Sequence, residues 1–165
     1  MSNPGRRAVT VALIALAGSP DFSDRADAGR SLARFLEDPD ARATLVSLVL
    51  DAGDTFVTRV TAEALLRRQD IAGLSVVASA LTEADANQAD WIHTAVLDVF
   101  ASFEDERDAV LLLCDALTLD PDARVRNGAP HLNAMLTGIE PALHADHGFE
   151  ADLRPDQRIE PTHHD

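Results

Sequence analysis

Apolar residues recur along the chain at helical spacing and never in the strict alternation of a half-buried strand. Leu45, Leu48, Val49 and Ala52 form one such face, and Leu74, Val77, Ala78 and Leu81 another. Val9, Leu13 and Leu16 keep the same spacing near the start, between Arg6-Arg7 and the turn-like Ser19-Pro20-Asp21. The spacing predicts paired helices. The first of each pair runs about 23–36, 55–68, 88–102 and 121–137, and the second about 39–51, 70–83 and 105–118. Asp54 and Asp120 suit N-caps, Asp38-Pro39 and Pro121 suit helix starts, and Gly53 could close a helix in the left-handed conformation.

These pairs repeat. Ala28, Ala62, Ala95 and Ala129 are separated by 34, 33 and 34 residues. Arg25, Arg59 and Arg126 stand three positions before three of them, and Leu32, Leu66 and Val99 stand four after three. A unit of this size with two helices cannot bury its face alone. The expectation is therefore an all-α fold, an α-solenoid of stacked antiparallel helix pairs with about 7–9 helices. Its parts would be a capping helix at 1–18, repeats at about 19–53, 54–86, 87–119 and 120–137 (the last partial), and an irregular acidic segment at 138–165.

Tetratricopeptide and ankyrin arrays share the period, but their Trp/Gly/Tyr and Thr-Pro-Leu-His patterns do not occur. What does occur is Asp120-Pro121-Asp122-Ala123-Arg124-Val125-Arg126 followed by Ala129, with Arg-x-x-Ala-x-x-x-Leu elsewhere. This resembles the short bacterial HEAT repeat over about residues 19–137. Asp24-Arg25-Ala26-Asp27-Ala28-Gly29-Arg30 and Ala89-Asp90-Trp91-Ile92-His93-Thr94-Ala95 also look like a group of actinobacterial HEAT-repeat proteins. The resemblance implies a right-handed solenoid and an interaction role rather than an activity. Two departures stand out: Trp91-Ile92 replaces Val-Arg, and Pro130 falls inside a helix, where it should introduce a kink.

Charge narrows the partners. The 165 residues hold 28 acidic and 14 basic side chains, a net of −14, and every base is an arginine. Nucleic acid and anionic membrane surfaces are disfavoured, since both are bound by clustered cations. No apolar run reaches membrane-spanning length. Arg6-Arg7 before Ala8–Ala17 imitates a signal peptide without a clean cleavage site, so a cytoplasmic protein is expected.

Candidate chemistry is sparse. No phosphate-binding glycine loop, HExxH, CxxC or GxSxG motif is present. Cys114 sits in an apolar stretch and reads as a buried structural thiol. Gly29 and Gly73 read as sites of close helix packing. His144, Asp146 and His147, with His163, His164 and Asp165, bunch near the C-terminus, where residues 148–165 read as a mobile acidic tail; no metal site and no cofactor are expected. His93 with Asp90 and Trp91 is either an exposed contact motif or inter-repeat packing with Asp90 as a cap. Second helices line the concave face of HEAT-like arrays. Their outer sides would offer Ser47, Asp51, Ser75, Ser79, Thr82, Asp108 and Asp115, a polar, mildly acidic groove.

The expected function is a non-enzymatic protein-binding module, a scaffold or adaptor, for a basic protein partner. Asp51, Ser75, Ser79, Asp90, Trp91, His93, Asp108 and Asp115 are its candidate contacts, and a monomer or weak homo-oligomer its state. Alternatives are an immunity or antitoxin-like inhibitor of a basic toxin, and a HEAT-like enzyme related to bilin lyases or DNA glycosylases. A glycosylase would need a basic groove with aromatics, which this one lacks. Self-association through an unprotected terminal repeat is a further possibility.

Overall fold

A computed structural model of the chain describes residues 4–143, which form eight helices and no strand. They are α1 (Pro4–Ala17), α2 (Phe22–Leu32), α3 (Pro39–Val49), α4 (Thr55–Leu66), α5 (Ile71–Leu81), α6 (Ala86–Phe100), α7 (Glu104–Leu117) and α8 (Ala123–Thr137). The His-rich and acidic residues 144–165 lie outside the described residues.

Aspartate starts most of these helices. Asp21, Asp38, Asp54, Asp70, Asp85 and Asp122 are the N-caps of α2, α3, α4, α5, α6 and α8, and each side chain accepts a backbone N–H of the first turn. Asp85 and Gln88 complete a reciprocal capping box. Only α7, among those six and itself, lacks a side-chain cap; Glu104, Asp105 and Glu106 in its first turn face the helix dipole instead.

Several sequence expectations need correction here. Asp120 does not cap α8 but turns the chain by accepting the Asp122 N–H, and Pro121 precedes the helix. Asp90 does not cap α6, because Asp85 starts the helix earlier. Gly53 is not left-handed. The left-handed residue is Gln69 (φ 50°), in the turn from α4 to α5. α2 stops at Leu32 because Arg34 and Phe35 tighten into i→i+3 bonds, donating to the Ser31 and Leu32 carbonyls, before Asp38-Pro39, where helical geometry is blocked.

α2, α4 and α6 pack in succession, α3 packs on α5, and α1 covers α2 and α3. Phe22 and Phe56, at the starts of α2 and α4, meet edge-to-face at 6.0 Å. The recurring alanines Ala28, Ala62, Ala95 and Ala129 are all 0% exposed, which is why nothing larger stands there. Gly29 and Gly73 behave as close-packing sites: an added Cβ would lie 2.1 Å from Thr61 Oγ1 and 2.4 Å from the Leu65 carbonyl, respectively.

The fourth unit departs from a regular stack. α8 would be expected on α6, the preceding first helix; its most extensive packing is instead on α5, with α7 on its other flank. α5 is consequently surrounded, and every residue from Gly73 to Leu81 is buried. α8 continues through Pro130 as a single helix. After α8 the chain folds back: Ile139 and Pro141 are buried, and Leu143 pairs with Phe103 through bonds to Ser102 and Glu104.

Candidate interaction surface

The recurring arginines are structural. Arg25 Nη1 donates to the carbonyls of Ser19 and Pro20, and Arg126 Nη1 donates to those of Asp120 and Pro121, at the same offsets. Arg59 reaches across to Asp98 on α6 instead, at 2.7 Å, which raises its already high pKa.

Arg25 also grips Asp51, Nε to Oδ2 at 2.7 Å and Nη2 to Oδ1 at 3.2 Å. Asp51 further accepts the N–H groups of Gly53 and Asp54. Burial alone would push this carboxyl up. The Arg25 guanidinium and the two backbone donors outweigh that and hold it below the usual aspartate range. The side chains are 15% and 9% exposed, so Asp51 fixes the α3–α4 turn to the start of α2.

Ser75 and Ser79 are also buried, at 3% and 5%, because α8 and α3 flank the helix that carries them. Ser75 accepts from Arg42 Nη2 at 2.8 Å and donates to the Ala72 carbonyl. Both serines floor a groove of about 490 Å³ between α3, α5 and the start of α8, whose walls include Arg42, Glu83, Asp122 and Arg124. Arg124 stands 3.6 Å from Glu83 and 3.8 Å from Asp122. Opposite charges thus balance in this groove, and it is less acidic than the sequence pattern suggested.

On α6, Asp90 is exposed while Trp91 and His93 are half-buried, flanking the fully buried Ile92. Ile92 and Ala95 do the packing. Asp108 and Asp115 lie seven residues apart, two turns, on the outer side of α7. Asp108 accepts from Arg107, and Asp115 from Asn133 at 3.2 Å. The structure therefore brings together Ser75 with Ser79 and Asp108 with Asp115, and sets Asp51 into the framework.

Sequence reasoning overlooked what surrounds Asp108 and Asp115. Asp105, Ala109, Leu112 and Ala116 share their side of α7, and Leu119 follows just beyond. Leu112 is 72% exposed and Leu119 84%, the two highest exposures among the large hydrophobics described. The signal was present, since Leu112 and Leu119 fall off the buried Val110, Cys114, Leu117 stripe.

Cys114, within that stripe, is 0% exposed; burial foremost, then Asp115, pushes its thiol up to about 12. Among the described residues no group of three or more His, Cys, Asp or Glu side chains could hold a metal, and no helix is long and apolar enough to cross a membrane.

No family model matches the chain, and no curated protein or solved structure matches it either. The class that the described residues define is an all-α fold of eight closely packed helices.

Proposed function

We propose that the protein is a non-enzymatic interaction module, a right-handed solenoid of HEAT-like antiparallel helix pairs, that holds a basic protein partner. The observation that carries this is the outer side of α7. Asp105, Asp108 and Asp115 stand there beside exposed Leu112 and Leu119. Apolar side chains ringed by one sign of charge suit a partner that supplies apolar contact and cations, and the field of the acidic surface speeds its capture.

The charge balance supports the same direction. The described residues carry 22 acidic and 12 arginine side chains, a net of −10. Six of the carboxylates are spent as N-caps. The α7 face is a place where acidity is not explained by the helix start alone, because Asp108 stands in the second turn and Asp115 in the last.

Affinity capture from the native host at low salt tests the assignment, comparing wild type with the Asp105→Asn/Asp108→Asn/Asp115→Asn variant. A protein retained by wild type, released by high salt and lost by the variant is the expected result. Equal retention by both would overturn the α7 assignment.

A further inference from the structure

The three large hydrophobics that protrude furthest into solvent among the described residues are Leu119 just after α7, Leu112 on α7 and Val11 on α1. Besides Leu112 and Leu119, Val11 is 60% exposed and Val9 49%, both on α1. α1 packs on α2 and α3, while α7 packs on α8, α5 and α6, so the two helices belong to different ends of the helix packing.

Their outer faces are complementary. α1 turns Thr10 and the half-buried Leu13, Ile14 and Ala17 inward. Outward it shows Ala8, Val11, Ala12 and Ala15, a strip of one valine among alanines that lets another helix approach closely. α1 contains no acidic residue, and Arg6 and Arg7 are its charges. Arg6 is engaged by Glu37 and lies over the Phe35 ring, but Arg7 is exposed and makes no ion pair among the described residues. α7, in contrast, carries five acids and one arginine, and Arg107 is already held by Glu104, Asp108 and the Ile139 carbonyl. Its outer strip centres on Leu112, with Ala109 and Ala116 on one side and Asp108 and Asp115 on the other.

We propose that the acidic–apolar face of α7 receives α1 of a second copy of this chain, so that copies join end to end. Val11 and the alanines of one copy cover Leu112 and Ala116 of the next, and Arg7 faces Asp108 and Asp115. Such a contact uses two different faces and leaves one of each unfilled on every pair, so it propagates with concentration. It rests on α7 being a binding face and names the basic partner as α1.

Sedimentation velocity of the full chain across micromolar to millimolar concentrations tests this. Wild type should grow in mass with concentration and shrink at high salt. Val11→Asp and Leu112→Arg each spoil one face, so either alone should remain monomeric. Their equimolar mixture should form a dimer and nothing larger, because one intact α1 meets one intact α7. Circular dichroism confirms that these exposed-site variants keep their helices. As a second line, Arg7→Glu should weaken association roughly tenfold, and mixing it with Asp108→Arg should restore it. A wild type that stays monomeric throughout would overturn the proposal, as would either single variant dimerising alone, which marks like-to-like pairing. If wild type is monomeric yet α7 still captures a foreign protein, the interaction role stands and only the self-partner falls.

Discussion

Gly128 of α8 rests directly on the backbone of α5: a Cβ built on it would lie 1.7 Å from the Ala78 carbonyl oxygen. In an exposed helix, Gly→Ala stabilises by about 0.5–1 kcal/mol. Here the added methyl meets backbone, which cannot swing aside, so overpacking wins. Gly128→Ala is expected to destabilise by on the order of 3 kcal/mol, read from the urea midpoint. A neutral or stabilising result would mean that α8 does not sit this close to α5.

Asp51 gives a pH signature. Its carboxyl is held low in the folded protein, so it contributes stability above its unfolded value, near ~3.9, and loses it as pH falls through the lower folded value. Asp51→Asn should cost about 2 kcal/mol at neutral pH. The gap to wild type should close in acid. Denaturant melts of both proteins down to low pH check this, and a gap unchanged throughout would deny that the Arg25 pair is its source.

The aspartate caps separate structural from surface acidity. Asp85→Ala removes the carboxylate that accepts the Gln88 N–H, one half of a capping box, and should lower stability by about 1 kcal/mol. Asp105→Asn, on the exposed side of α7, should change stability by less than about 0.5 kcal/mol. Thermal melts of the two variants compare them directly; equal losses would contradict the division between caps and exposed face.

Cys114 should ignore thiol reagents in the folded state. It is fully buried and its thiol is pushed up to about 12, so both access and thiolate are lacking. Labelling at neutral pH should occur only at the rate at which the region opens. Prompt labelling of native protein would refute the burial.

Much of this architecture was readable because helix formation is local. The alanine spacing and the apolar stripes located each described helix; starts moved where a cap was missed, and α2 ends at Leu32, four residues short of the expected end. Asp85 and Gln88, at Asp-x-x-Gln spacing, start α6 earlier than 88, and Asp122 rather than Asp120 starts α8. The absence of any charge between Ile71 and Leu81 could have shown that α5 is enclosed, and with it that Ser75 and Ser79 are buried. What periodicity could not convey is which helix α8 chooses. That depends on one glycine matching one carbonyl on a distant helix, a relation no local pattern encodes. Asp51 shows the same limit, since a carboxylate that looks solvated in sequence is claimed by Arg25 in space.

The attachment of α8 to α5 also governs how the chain comes apart. In a linear array each unit leans only on its neighbours, and an end can open while the middle stays closed. Here the last helix is anchored on the central one, and the following residues are pinned to the α6–α7 turn. Opening that end would strip the cover from α5, the most enclosed of the described helices. The expectation is melting as one cooperative unit rather than a fraying from one side, with folding limited by a contact between α8 and α5.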